Sequence, residues 1–218
     1  MKCWLKKTTQ YWKNLYEYST AGTYSVTLAK EALYLVSLVG GGAGGYGYNS
    51  NFNAWESGGG SGGYLVFTKT LSPGTYTIVV GSKGVAGPNN GTATTAFDCS
   101  ADGGTWVDGG GEGGNTTATQ DATIIVNKKG NNGGYSVGGY AYNVVASGGA
   151  SVYDDTATGY GAGGRAECHG GNWSNFPGYD GYIKIDVLSD ITDYDYIKQT
   201  IETKLPKNNN DVYFGINQ

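Results

Sequence analysis

The sequence predicts an all-β fold. The expected form is a glycine-rich, β-sandwich-like domain whose polyglycine segments pack as polyproline-II-type helices, followed by a short C-terminal α-helix. Three observations carry this expectation. Of the 40 glycines, 38 lie between Gly40 and Gly181, so the bias belongs to the centre of the chain and not to its ends. Apolar, β-prone runs of strand length flank the glycine blocks, as at residues 33–39 and 64–71. The chain also carries 19 tyrosines, 5 tryptophans and 5 phenylalanines against a charged fraction of only 15%, the reverse of a disordered glycine-rich linker. A run of glycine loses much backbone entropy on folding and offers no side chain to bury. Order there requires backbone packed so closely on backbone that no Cβ fits.

Residues 1–15 mix Lys, Thr, Trp and Tyr without a period and read as an N-terminal arm. Residues 16–20 and 23–28 read as two short strands with a turn at Ala21-Gly22, because Tyr24, Val26 and Leu28 alternate with Ser25 and Thr27. Residues 33–39 form the next strand, apolar enough to be buried on both faces. The block Gly40-Gly41-Gly42-Ala43-Gly44-Gly45 follows, then an aromatic insert at 46–57, then Gly58-Gly59-Gly60-Ser61-Gly62-Gly63. Residues 64–71 and 75–80 read as a hairpin about Ser72-Pro73-Gly74, where Pro presets φ and Gly accepts a positive one. Gly81, Gly84 and Gly87 recur at every third position, the period of a three-residue-per-turn extended helix. Strands are further expected at 92–98, 123–127 and 182–188, with paired glycines between them. The glycine-rich domain is thus expected over 16–188 and a C-terminal segment over 189–218. There Ile191, Tyr194, Ile197, Ile201 and Leu205 recur at three- and four-residue spacing ahead of Pro206, which predicts an amphipathic helix at 191–204 that either packs on its own domain or docks to a partner or a symmetry mate for assembly.

Composition narrows the function classes. The formal net charge is −4 and no basic block occurs outside the N-terminus, which argues against nucleic acid as a partner. No stretch of about 18 apolar residues exists to span a membrane. The N-terminal Lys residues lack the apolar core of a signal peptide behind them, so export by the usual secretory route is not expected. Three cysteines without a C-x-x-C pair indicate reduced thiols, with one Cys99–Cys168 bridge left open.

Chemistry-bearing patterns are weak. Gly40-x-Gly42-x-x-Gly45 matches a dinucleotide fingerprint in form only, since residues 46–51 will not make the helix whose N-terminus holds the pyrophosphate. His169 beside Cys168 reads as a surface imidazole next to a structural thiol and not as half of a nucleophile pair. Asp154-Asp155 could ligate calcium, but neighbouring ligand spacing is lacking. Sequons at Asn90, Asn115 and Asn172 carry no weight without a secretion signal. No catalytic residue, metal or cofactor is expected. The binding candidates are Tyr46, Tyr48, Phe52, Trp55, Trp173 and Phe176, aromatics framed by Gly, Asn and Ser, which offer large rigid faces at low entropy cost.

One ordered series of motifs is more specific than its parts. A strand ends in Val-Gly-Gly-Gly-Ala-Gly-Gly; a loop leads to Gly-Gly-Gly-Ser-Gly-Gly-Tyr-Leu; then come Leu-Ser-Pro-Gly-Thr-Tyr-Thr-Ile-Val-Val-Gly, Gly-x-x-Gly and a closing Asp-Gly-Tyr-Ile-Lys-Ile. Over residues 16–188 this resembles the glycine-rich domain of bacteriophage tail fibres and receptor-binding tips, which also occurs in some bacterial surface proteins. The resemblance implies a non-enzymatic virion structural protein of the tail, adhering to the host surface through aromatic, glycine-framed loops. Its expected partners are a glycan or protein receptor, other virion proteins and further copies of the chain, a trimer among the options. The alternatives are a structural subunit of a virion or extracellular filament and, much weaker, a glycan-degrading tail enzyme, for which no carboxylate pair stands out.

Overall fold

The computed structural model describes residues 8–50, 53–138, 144–169 and 172–192. Among them every regular element is a strand, and every register that the ladder fixes is antiparallel. One sheet runs in the order β1 (Thr8–Tyr18), β16 (Tyr182–Thr192), β3 (Ala32–Val39), β6 (Tyr64–Leu71), β11 (Thr123–Lys128). A second runs β10 (Thr116–Thr117), β9 (Cys99–Ala101), β8 (Thr94–Ala96), β7 (Gly74–Val80), β2 (Gly22–Leu28). Side chains one residue apart leave a strand on opposite faces. That period sends Tyr34, Val36 and Leu38 of β3, Leu65, Phe67 and Leu71 of β6 and Ile183, Ile185 and Val187 of β16 into one buried cluster. Val26, Leu28, Ile78, Val80, Ala96, Cys99 and Ala101 of the second sheet join the same cluster. Residues Trp12–Leu188 form one compact unit. Of the residues outside it, 8–11 and 189–192 are described, and they contain the Gln10 Nε2 bond to Asp190 Oδ1 (3.3 Å).

Several local expectations change. The segments at 64–71 and 75–80 do not pair with each other. β6 pairs β3 and β11, while β7 pairs β2 and β8, so Ser72-Pro73 arches the chain from one sheet to the other. The arch is favoured because Leu71 of β6 and Ile78 of β7 then meet in the common core. Tyr76 clamps it by donating its hydroxyl to Ser72 O (2.9 Å). The same holds at Ala21: β1 and β2 lie in different sheets, and the Tyr24 hydroxyl donates to Thr20 O (2.7 Å). Residues 8–15, read as part of an arm, are strand. β3 alternates buried with half-buried residues instead of being buried throughout. The strand expected at 92–98 is β8 followed by a tight turn in which Phe97 and Asp98 hold φ of 53° and 65°. The buried Lys69 steadies that turn by donating to Phe97 O (3.1 Å), while it also pairs with Asp121 (3.1 Å). β16 extends through Ile191 and Thr192, so the helix expected from 191 does not begin there. Tyr194, Ile197, Ile201 and Leu205 lie outside the described residues. Cys99 and Cys168 are both free and buried, so no bridge joins them.

The glycine blocks are ordered by hydrogen bonding in three directions. Residues 40–45 donate in turn to three segments: Gly40 to Gly63 O, Gly41 to Thr92 O, Gly42 to Tyr179 O, then Ala43 to Gly60 O, Gly44 to Asn89 O and Gly45 to Phe176 O. The partner segment recurs every third residue, as a three-residue-per-turn extended helix requires. Three more segments donate inward, through Gly104 to Gly41 O, Gly84 to Gly42 O and Gly164 to Ala43 O. Residues 58–63 repeat the pattern. They donate to Gly134, Gly164, Thr105, Asn131, Gly161 and Asp102 in sequence, and they receive Gly111, Gly149 and Gly114. Each block therefore sits among six neighbouring segments, at backbone N···O distances of 2.7–3.1 Å. At the glycine positions this spacing leaves no room for a side chain. A Cβ at Gly42 would stand 1.9 Å from Ala162 O, at Gly59 2.2 Å from Ala43 O and at Gly62 2.0 Å from Gly40 O. The expected period at Gly81 and Gly84 serves this packing, whereas Gly87 (φ 111°) makes a turn.

Candidate functional site

The direction of the array places chain excursions at one end. Residues 40–45 and 58–63 run antiparallel, so Gly45 and Gly58 lie at the end away from β3 and β6. Bonds of Gly87 to Gly45, Gly111 to Gly58, Gly58 to Gly134, Gly134 to Ser147 and Gly45 to Phe176 gather the other segment ends there. Residues 46–50, 53–57, 85–88, 106–110, 135–138, 144–146, 166–169 and 172–175 thus all emerge from this apical end. Two three-stranded sheets build it: β4 (Tyr46–Ser50), β5 (Asn53–Ser57) and β12 (Tyr135–Gly138), and β13 (Val144–Ala146), β14 (Ala166–His169) and β15 (Asn172–Asn175).

The first of these sheets has two unlike faces. Its register sets Tyr46, Ser57 and Tyr135 side by side, and Tyr48, Trp55 and Val137 next to them. The loop after Thr105 lies on this face. Ser57 Oγ donates to Val107 O (2.7 Å) and accepts from Gly110 N (3.1 Å), while Trp106 N donates to Asn90 Oδ1 (2.7 Å). Trp106 is thereby brought against Tyr46 (ring centroids 5.9 Å apart) and Trp55 (6.2 Å), and Tyr46 meets Trp55 edge-on at 6.2 Å. Tyr135 at 46%, Val137 at 68% and Val107 at 36% remain exposed around these half-buried rings. The result is a continuous aromatic and aliphatic patch on a floor whose backbone is fixed by the array.

The opposite face is closed. Gly47 faces Trp173, and a Cβ there would stand 2.6 Å from the indole ring. Gly47 N also donates to Asn175 Oδ1 (2.9 Å), which ties β4 to β15. Trp173 is thus placed against Gly47 between the two sheets rather than on the presented patch. Phe176 sits elsewhere again, under the Arg165 guanidinium (4.4 Å to the ring) at the edge of a cleft of about 390 Å³. Glu167, Pro177 and Tyr179 line this cleft over the backbone of Gly148, Gly163 and Gly164. Of the expected binding residues the structure therefore brings Tyr46 and Trp55 together, with Tyr48 at the register position opposite Trp55; Phe52 lies outside the described residues. Trp106, Tyr135 and Val137 are additions that the sequence reading misses. Like Tyr46 after Gly44-Gly45, Tyr135 directly follows a glycine pair and Trp106 follows one by a single residue, a signal that could have marked them.

Beside Trp173 lies Glu56, whose side chain is fully buried with neither carboxylate oxygen hydrogen-bonded among the described residues. Burial pushes its carboxyl up from 4.5 to about 7, and the nearby Glu167 carboxylate adds to the rise. The Ala146 backbone, short of hydrogen-bond geometry, offsets this only in part. Because the folded state binds this proton more tightly than the unfolded chain, the group's contribution is full below about 4.5 and is lost as pH rises through about 7. Each tenfold gain in proton affinity is worth about 1.4 kcal/mol, so the rise from 4.5 to about 7 corresponds to a loss on the order of 3 kcal/mol. Urea denaturation at pH 5 and pH 8 should show wild type losing this amount relative to Glu56→Gln. Equal pH slopes for the two proteins would contradict the assignment.

Other candidate chemistry resolves into structure. Cys168 is buried and His169 exposed, on opposite faces of β14, with His169 Nε2 3.6 Å from Glu167 Oε2. Asp154 caps its own turn, accepting from Thr156 N and Oγ1. Among the described residues no group of three or more His, Cys, Asp or Glu side chains could hold a metal ion, and no helix is long and apolar enough to cross a membrane. Gly40-x-Gly42-x-x-Gly45 leads into strand β4, not into a helix. A family model described as a glycine-rich domain matches residues 19–186, which covers the array and every strand except β1 and the end of β16. No curated protein matches the chain.

Proposed function

Since the chain belongs to the glycine-rich domain family, we propose that it is a non-enzymatic adhesion protein that holds the surface of a bacterial host through its apical aromatic patch. The observation that carries this reading is the contrast between the two faces of the β4-β5-β12 sheet. One is sealed around Glu56 and Trp173, while the other offers Tyr46, Trp55, Trp106, Tyr135 and Val137 on a backbone that the array holds rigid. Rings that keep part of their surface open on a preorganised frame bind sugars and protein loops with little ordering cost. Placement in a bacteriophage tail is the setting we infer from the ordered motif series. Fluorescently labelled full-length protein added to a panel of bacterial strains tests the reading. Saturable binding to a subset of strains, competed by their purified surface polysaccharide or outer-membrane protein, is the expected result. Binding to none, with filaments of the pure chain seen by electron microscopy, would favour the structural-subunit alternative.

A further inference from the structure

The outer edge of the first large sheet is β11, whose edge protection is confined to a bulge at Ile125 and the lysines at its end. Its inner side pairs with β6, and no strand of the described residues lies on its other side. Natural edge strands are commonly shortened, covered or charged to prevent pairing with another chain. β11 is six residues long and exposed along almost its whole length, with Ile124 at 48% and Ile125 at 57%. A register shift between Ile124 and Val126 sets Ile125 outside the regular ladder. Both isoleucines are thereby turned to the outside, and the strand carries no charge until Lys128.

The sequence around this edge is complementary to itself. Antiparallel pairing of two copies about Ile125 brings Ile125 to its own equivalent, Ile124 to Val126, Thr123 to Asn127 and Asp121 to Lys129. Asp121 is 65% exposed even while its carboxylate meets Lys69, so it can serve both lysines. A two-fold axis through Ile125 satisfies the free ladder groups and covers the isoleucines. It also sets the charge pair twice, the self-complementary arrangement that a two-fold interface requires.

We propose that β11 is a homodimerisation edge, which joins two copies of this chain into one sheet continuous across a two-fold axis. The join lies on the large sheets and leaves the apical patches free. Sedimentation equilibrium of the full-length protein tests this, read against its monomer mass of 22.8 kDa. Wild type should show a monomer–dimer equilibrium, and Ile125→Lys should weaken it at least about tenfold by placing two lysines opposite each other. Lys129→Asp should weaken it similarly, and mixing Lys129→Asp with Asp121→Lys protein should restore a dimer, because each of the two then supplies the charge that the other needs. Circular dichroism identifies any variant that fails to fold, and Lys129, exposed and outside the ladder, is the safer position. A wild-type protein that stays monomeric to about 100 μM, or any oligomer that both Ile125→Lys and Lys129→Asp leave unchanged, would overturn the proposal.

Discussion

Alanine at Gly59 is expected to prevent folding. The added Cβ would fall 2.2 Å from Ala43 O and 2.6 Å from Ala43 C. Neither atom can yield as a side chain would, because Ala43 N is committed to Gly60 O and Ala43 O accepts from Gly164 N. Relief requires moving one segment by more than an ångström, which breaks bonds in an array where each segment also fixes its neighbours. A buried backbone group left without its partner costs roughly 1–3 kcal/mol, and several would be lost together. The sum exceeds about 4 kcal/mol, a large share of the stability of an ordinary domain. Gly62→Ala, at 2.0 Å from Gly40 O, should behave alike. The comparison is Gly74→Ala, where the nearest atoms belong to the Tyr76 ring at 3.5 Å or more, and this change should cost less than about 1 kcal/mol. Urea midpoints and near-ultraviolet circular dichroism distinguish the two outcomes. A folded Gly59→Ala protein with a near-normal midpoint would show that the blocks pack less closely than described.

Removing the exposed part of the apical patch should abolish adhesion without unfolding the protein. Tyr135 and Val137 are the variants of choice, because they project from β12 and are not enclosed by the Tyr46–Trp55–Trp106 contacts. Binding energy in recognition surfaces concentrates in a few aromatic anchors, each worth about 2 kcal/mol or more. Tyr135→Ala with Val137→Ser is therefore expected to weaken cell binding by roughly thirtyfold or more at an unchanged urea midpoint. Trp55→Ala should also lose binding, with some loss of stability from the ring contacts it makes. Glu31→Ala, at the opposite end of β3, should change neither. If the Tyr135/Val137 variant bound cells as wild type does, the patch would not be the adhesive surface. The Arg165–Phe176 cleft would then be the next place to look.

The glycine array shows where sequence reasoning reaches and where it stops. That the blocks are ordered was legible, because aromatics interrupt them and Gly81 and Gly84 keep a period of three. Their six-fold surroundings were not, since the partners of residues 40–45 lie as far away as Tyr179 and no local pattern encodes that pairing. The reversal at Ser72-Pro73 was legible too, although Gly74 opens β7 without the positive φ expected of it, and a turn signal does not state whether the chain stays in its sheet. The burial of Leu71 against the second sheet decides that. Ile191 and Thr192 continue β16 although their spacing suited a helix, because a strand already hydrogen-bonded in a sheet outweighs a weak amphipathic pattern. Tyr46 and Trp55 could be named from their glycine frames. Trp106 joins them only because Ser57 and Asn90 anchor its loop, which are contacts between residues distant in sequence.

The glycine blocks act as a fixed lattice rather than as flexible connectors, and both the apical patch and the core sheets depend on it. Amide hydrogen exchange of the full-length protein tests this most directly, because it reads the same backbone N–H groups that define the array. Amides of residues 40–45 and 58–63 should be protected as strongly as those of Val36, Leu38 and Phe67 in the core strands, since both would open only with global unfolding. Exchange of the glycine amides at the rate of an unstructured chain, while the core strands stay protected, would contradict it.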